Sequence, residues 1–253
     1  MPLQSAWPMT SDFAGVPSLQ ANGTQTTGNG SLAGIDGRLE IVQDPTGVRG
    51  NVMRSTLYES DANTAGYRRS EIAGPADSLA EYWYSWSMML DPAWTDLQNP
   101  FILAQIHDTP DGGDGQKAPN FLLANMSGHL RCTVPEQTLP TEGGNLRRIG
   151  TASLVPGKWF DCCLHVKWAT GAGGMREFFV DGMPMFREIN LPTQYTDATG
   201  PYLKLGIYNG LSATAGWVMR RAYYADVRIW TGDATYEQGL NRRIAQPARL
   251  TKL

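Results

Sequence analysis

The sequence predicts an all-β protein, a sandwich or jelly roll of antiparallel strands. Three observations carry this. Short stretches of alternating apolar and polar residues recur along the chain, and a period of two is the mark of a strand with one buried face. Turn-forming residues separate the stretches, and 28 Gly and 16 Pro in 253 residues supply many of them. Apolar residues at helical spacing are scarce, so short helices are expected only around Leu79 or in the last twenty residues.

Residues 1–35 are rich in Gly, Ser, Thr and Asn, as in Asn22-Gly23-Thr24 and Thr27-Gly28-Asn29-Gly30. They read as turns and short edge strands of the same domain as the body of the chain. That main domain is expected over residues 36–235. Leu39-Glu40-Ile41-Val42 and Asn51-Val52-Met53-Arg54 alternate as strands. Glu81 to Leu90 is the strongest strand signal, with Tyr82, Tyr84 and Trp86 on one face and Trp83, Ser85 and Ser87 on the other. Phe101 to His107 forms a strand, followed by a loop from Asp108 to Gln116 (DTPDGGDGQ). Asn120 to Asn125 and Gly128 to Val134 resemble a hairpin.

Lys158 to Trp168 places Phe160, Cys162, Leu164, Val166 and Trp168 on one side. Met175 to Val180 and Met183 to Arg187 flank Asp181-Gly182, a two-residue hairpin signature. Tyr202 to Tyr208 and Ala222 to Trp230 close the set. No internal repeat or linker divides the chain. Residues 236–253, with Arg242, Arg243, Arg249 and Lys252, read as a basic tail, either a surface segment or a joint to something further.

Composition narrows the function classes. A net charge of -3 argues against a general nucleic-acid binder, although a local group of Arg and Lys can still hold carboxylates. Eight Trp and ten Tyr serve either core packing or sugar stacking. Three cysteines do not make a disulfide framework. Cys162 and Cys163 are adjacent and point to opposite faces, and nothing requires Cys132 to pair with either. No Cys/His spacing suggests zinc. No apolar run reaches membrane-spanning length. Met1 to Phe13 lacks the basic and apolar regions of a signal peptide, which leaves three routes open: a cytoplasmic protein, a leader already removed, or export in another way such as within a phage particle.

Chemistry-bearing residues collect in three strand-like segments. Arg69 and Glu71, Gln105 and His107, and Lys204 and Tyr208 occupy alternate positions, with Ile72, Ile106, Leu205 and Ile207 between or beside them. One face of such a sheet is oily and the other carries Arg, Gln, His, Lys and Tyr, which suits an active-site floor.

Arg69-Ser70-Glu71, Gln105-Ile106-His107 and the run Tyr202-Leu203-Lys204-Leu205-Gly206-Ile207-Tyr208 resemble the signature strands of jelly-roll polysaccharide lyases, among them the alginate lyases with RxE, QxH and YxKxGxY patterns. Gly157-Lys158-Trp159, His165-Val166-Lys167-Trp168 and Val180-Asp181-Gly182 look more like the heparin-lyase-like and glucuronan-lyase-like branch. The resemblance spans roughly residues 35–230. Two departures bear on substrate. Alginate lyases usually carry a further Arg after RxE, whereas Ala73 and Gly74 follow here, and their last motif often ends in Asn-Gln, whereas this one ends Asn209-Gly210.

The resemblance implies a jelly roll with a concave substrate cleft and an endo-acting lyase that cleaves beside a uronic acid by β-elimination. The C5 proton is removed, the C4 oxygen leaves, and an unsaturated sugar remains. The substrate carboxylate must be neutralised and the enolate-like charge stabilised. Gln105, Arg69 and His107 are expected to do this. Tyr208 is expected to act as acid, or as both base and acid, with its phenol lowered by Lys204 or Arg69. Syn elimination on glucuronate or mannuronate can use Tyr208 for both steps, whereas anti elimination on guluronate or iduronate uses His107 as base and Tyr208 as acid. Lys204, Glu71 and Tyr202 are expected to contact substrate, Glu71 chiefly by orienting Arg69.

A β-glucuronate polymer is the leading substrate and alginate the runner-up. The implied partner is an anionic polysaccharide met outside the cell, with no nucleic acid or membrane, and the chain is expected to be a monomer. No cofactor is required. Asp108, Asp111 and Asp114 read as a solvated acidic loop, with structural calcium the alternative. His129 and His165 lack motif context and are assigned to structure. Two other classes compete. A glycoside hydrolase would need a flanking pair of carboxylates, and no Glu-x-Asp-x-Glu strand is present. A carbohydrate-binding module would account for the aromatics but has no need of a Lys-x-Gly-x-Tyr strand facing Gln-x-His.

Overall fold

The structure is a computed structural model that describes residues 3–6, 18–21, 24–27, 37–63, 67–77, 81–109, 111–112, 114, 117–135, 146–210, 216–231 and 235–236. The helix expected around Leu79, the basic tail from Asn241 and all but two of the last twenty residues lie outside them. In chain order the strands are β1 (Leu3–Ala6), β2 (Ser18–Ala21), β3 (Thr24–Thr27), β4 (Leu39–Gln43), β5 (Asn51–Tyr58), β6 (Arg69–Ala73), β7 (Glu81–Leu90) and β8 (Phe101–Thr109). Then come β9 (Phe121–Met126), β10 (His129–Pro135), β11 (Leu146–Ser153), β12 (Phe160–Lys167), β13 (Gly174–Val180), β14 (Met183–Leu191), β15 (Thr199–Tyr208) and β16 (Met219–Thr231).

They form a jelly-roll sandwich of two eight-stranded sheets. Sheet A runs β14-β13-β12-β7-β16-β5-β4, with β1 also on β16; sheet B runs β11-β10-β9-β8-β15-β6-β2-β3. Local sequence sets the hairpins. Asp181 (φ 52°) and Gly182 (φ 78°) make the expected two-residue turn between β13 and β14, and Ser127 (φ 53°) and Gly128 (φ 80°) make the turn between β9 and β10.

Alternation decides what enters the core. Tyr82, Tyr84 and Trp86 of β7 meet Phe160, Cys162, Leu164, Val166 and Trp168 of the β12 segment, on the faces the sequence indicates. Leu203, Leu205 and Ile207 of β15 and Ile72 of β6 close the core from sheet B. The other face of β7 carries Trp83, which stacks on His165 at 3.6 Å. His165 Nδ1 lies 2.7 Å from Glu177 and Nε2 lies 2.9 Å from Glu81, a satisfied position on the sheet remote from the predicted site. The three cysteines are buried and form no disulfide. No helix among the described residues is long and apolar enough to cross a membrane.

Two polar side chains of sheet A cross the core to sheet B. Ser55 Oγ donates to the Ser70 carbonyl at 2.6 Å and accepts the Ile207 N–H at 3.2 Å. The Tyr224 hydroxyl lies 2.9 Å from the Leu103 carbonyl and 3.0 Å from that of Gly206. Those carbonyls belong to β8 and β15 where their pairing slips, so Tyr224 offers a donor at an irregular point of the ladder. Tyr224→Phe removes the single hydroxyl proton that these two carbonyls share and is expected to cost about 1–3 kcal/mol in urea denaturation. An unchanged midpoint would refute that role.

Asp77 follows β6 and is buried beside the Trp168 indole, with no hydrogen-bond partner for Oδ2 among the described residues. Burial pushes its carboxyl up to about 8. The folded chain therefore keeps this proton longer than the unfolded chain does. Asp77 lowers stability progressively as pH rises from about 4 to about 8. Asp77→Asn is expected to remove that decline, gaining several kcal/mol over wild type at pH 8 and little at pH 4. Parallel pH profiles for the two proteins would rule this out.

Candidate active site

Strands β6, β15 and β8 lie side by side and carry the site. Their antiparallel register sets Tyr208 opposite Arg69, Gly206 opposite Glu71, Lys204 opposite both Ala73 and Gln105, and Tyr202 opposite His107. Because Leu203, Leu205, Ile207 and Ile72 enter the core, alternation turns Tyr202, Lys204, Tyr208, Arg69 and Glu71 to the opposite face. The site residues indicated by the sequence thus share one face of sheet B.

Simple alternation fails along β8. Phe101, Leu103, Ala104 and Ile106 all belong to the core, while Ile102 packs with Tyr208, Leu122 and Ala124 on the outer face. A bulge between Ile102 and Ala104 shifts the register against β9. The extra residue brings Gln105 and His107 to the outer face; unbroken alternation would place them in phase with Phe101.

Two glycines shape the site. Gly206 has φ +144°, and a Cβ there would sit 2.1 Å from the Ser70 carbonyl oxygen and 2.6 Å from the Glu71 Cα. Only glycine lets β15 approach β6 this closely, which explains the glycine between Lys204 and Tyr208. At Gly210 a Cβ would lie 2.5 Å from Tyr208 Cζ and 2.9 Å from its hydroxyl oxygen. The missing side chain is the space the phenol occupies.

Glu71 is the hub. It is 1% exposed, and its carboxylate takes Gln105 Nε2 at 2.6 Å on one oxygen and Lys204 Nζ at 2.9 Å on the other. Arg69 Nη1 is farther, at 3.5 Å. Glu71 thus braces Lys204 and Gln105 closely and pairs with Arg69 more loosely. Burial alone would raise the Glu71 carboxyl, but Lys204 and Arg69 hold it below its ordinary value. Burial pushes the Lys204 ammonium down, against the pull of Glu71. Lys204 and Glu71 stand at ion-pair distance, 2.9 Å.

Arg69 instead lies over the Tyr208 ring, 4.1 Å from its centroid. Tyr67 meets the same ring edge-on at 5.6 Å. The expected lowering of Tyr208 does not occur. Burial raises the phenol to about 12 and outweighs the opposing charge of Arg69. Tyr208 is held as a proton donor. Burial, with Glu71 and Asp108 adding to it, likewise raises Tyr202 to about 12.

His107 is half-buried beside Tyr202, with ring centroids 6.0 Å apart. Its Nδ1 lies 2.8 Å from Asp108 Oδ1 and 3.0 Å from the Asp108 carbonyl oxygen. Asp108 is therefore not part of a solvated loop: β8 runs on through Thr109, and the Asp108 side chain is buried. The remaining acidic residues, Asp111 and Asp114, gather with Asp197, ligand atoms within 4.8 Å of one another. Lys117 Nζ bonds both Asp114 and Asp197 and supplies positive charge there. His129 is exposed at the start of β10.

Sequence reasoning missed Tyr67, Asp108 and Gly210. Tyr67 was within reach, since Tyr67, Arg69, Glu71 and Ala73 fall on alternate positions. Asp108 carried no signal beyond its place after His107. The role of Gly210 depends on where the Tyr208 ring lies in space.

The family model described as polysaccharide lyase matches residues 10–228. Among curated proteins no sequence matches significantly. The fold is similar to that of an endo-β-1,4-glucuronan lyase from the fungus Trichoderma reesei, with TM-score 0.67 and 19% identity over 81% of this chain and 90% of that one. Alginate lyase A1-II', a member of polysaccharide lyase family 7, gives TM-score 0.66 and 17% identity over 91% and 100% of the two chains. A form of that enzyme with one His replaced by Asn and one Tyr by Phe, solved in complex with substrate, gives TM-score 0.65 and 16% identity over 88% and 99%. With a family model spanning most of the sequence and a jelly roll shared with these enzymes, the chain belongs to the polysaccharide lyase family.

Proposed function

We propose that this lyase cleaves a uronic-acid polysaccharide internally by β-elimination and releases unsaturated oligosaccharides. One observation carries the reading: a protonated tyrosine, a histidine, an amide and two cations share a single face across three adjoining strands. Arg69, which stands 3.5 Å from Glu71 where Lys204 stands at 2.9 Å, is the cation expected to meet a substrate carboxylate. Gln105 and Arg69 stabilise the charge that develops on that carboxylate as C5 loses its proton. In syn elimination Tyr208, as phenolate, takes the C5 proton and gives it to the departing C4 oxygen; in anti elimination His107 takes the C5 proton and Tyr208 protonates that oxygen. Tyr202, Lys204 and Glu71 line and brace the site. These side chains supply the proton transfers and the charge stabilisation, so no cofactor is needed. The protein works as a monomer on polymer outside the cell.

A β-glucuronate polymer is the leading substrate. Position 73 faces Lys204 on the site side of β6, where alginate lyases usually add an arginine and this chain has Ala73. One observation favours the second reading, alginate containing guluronate. A phenol raised to about 12 serves readily as acid but must first be deprotonated to serve as base. A separate base, His107, then suits anti elimination. The substrate complex of alginate lyase A1-II', obtained with one His and one Tyr replaced, is in keeping with a His/Tyr pair.

Ultraviolet absorbance of the new C4–C5 double bond tests both readings on glucuronan, polymannuronate, polyguluronate, hyaluronan and heparin. A rise on glucuronan supports the first reading, and a rise on polyguluronate alone supports the second. A flat trace accompanied by reducing-sugar release would mean hydrolysis and overturn both. Binding without cleavage would indicate a carbohydrate-binding module.

A further inference from the structure

Asp108 is 1% exposed, and neither carboxylate oxygen receives a well-directed hydrogen bond from a described residue. A buried carboxylate in that state costs several kcal/mol unless a partner offsets it. The close ionisable neighbour is His107, whose Nδ1 is 2.8 Å from Asp108 Oδ1. Tyr202 of β15 and Tyr195, just ahead of β15, face the same carboxylate, and both phenols are raised to about 12 by burial with a contribution from Asp108. The Tyr195 hydroxyl donates to the Ala118 carbonyl at 3.0 Å. Lys117 lies 5.3 Å from the Tyr195 ring and is bonded to Asp114 and Asp197.

The two ring nitrogens of an imidazole take different roles, and a carboxylate on Nδ1 decides which nitrogen carries the proton. With Nδ1 turned to Asp108, Nε2 is on the opposite edge of the ring. We propose that Asp108 is a positioning residue: its main-chain carbonyl, 3.0 Å from Nδ1, accepts the Nδ1–H of His107, its carboxylate 2.8 Å away favours that tautomer and stabilises the imidazolium that results, and Nε2 is left to take the C5 proton. The inference rests on the reading of His107 as the base. In the step itself Nε2 gains the C5 proton, the C5–H electron pair becomes the C4–C5 double bond, and the C4–O bond breaks. Tyr208 gives its proton to the leaving oxygen. The cycle closes when the imidazolium proton returns to the phenolate through solvent.

Nitrogen-15 NMR of the imidazoles is the test, and three histidines keep the assignment tractable. Wild-type protein should show neutral His107 as the Nδ1–H tautomer. Asp108→Asn should mix the tautomers and lower kcat roughly 10- to 100-fold with little change in KM. If the variant does not fold, the wild-type spectrum still decides, since an Nε2–H tautomer would overturn the proposal. So would a folded Asp108→Asn protein with unchanged tautomer and kcat. His107→Ala separates the two claims. If it keeps turnover, the base reading and the catalytic role of Asp108 fall together. If it is inactive while Asp108→Asn is fully active, the positioning role alone falls.

Discussion

Replacing Tyr208 by Phe is expected to lower turnover about 10³-fold, with KM and folding close to wild type. The substitution removes one oxygen and keeps the ring, so the Arg69 contact at 4.1 Å and the Tyr67 edge contact at 5.6 Å persist. The hydroxyl is a proton donor in the resting protein because burial holds it at about 12. Its loss leaves the C4 oxygen to depart as an alkoxide, a cost met only in the transition state. The decrease should therefore appear in kcat. Initial rates of double-bond formation and polymer binding by the same variant check this. Most of the activity surviving would remove Tyr208 from the chemistry, whereas unchanged binding with lost turnover separates an enzyme from a lectin.

Glu71→Ala should have the largest effect on stability. Glu71 is the counter-charge for Lys204 and the acceptor for Gln105, all deep in the site. Deleting it leaves Lys204 and Arg69 buried without their carboxylate, at about 3–5 kcal/mol. In a chain of this size that lowers Tm by roughly 10 °C. Glu71→Gln keeps the shape and an acceptor oxygen and should lose less. Adding Lys204→Met to Glu71→Gln should recover part of the loss, since the stranded ammonium is then gone. Thermal unfolding of the variants decides. A Glu71→Ala protein with the wild-type Tm would show that water already compensates Lys204. Turnover should fall in each variant, because Lys204 and Gln105 lose the group that braces them.

Much of the fold was legible because alternation and turn chemistry are local. The β12 face with Phe160, Cys162, Leu164, Val166 and Trp168, and the Asp181-Gly182 hairpin, come from neighbours in sequence. Alternation also set the shared face of Arg69 and Glu71, and that of Lys204 and Tyr208. On β8 it was insufficient. The bulge at Ile102 to Ala104 arises from pairing with β9 and β15, and the carbonyls at that slip are met by Tyr224 from the other sheet.

Residue type and short-range spacing were enough for the all-β class, for the three segments that bear the chemistry and for the kinds of group available to a β-elimination. Three-dimensional packing was needed for the rest: that Tyr208 is raised and not lowered, that Glu71 braces Lys204 and Gln105, and that Asp108 faces His107 instead of solvent. Burial and charge at these positions are set by strands far apart in the chain. Desolvation depends on what covers a group in space, and no spacing along the sequence encodes that.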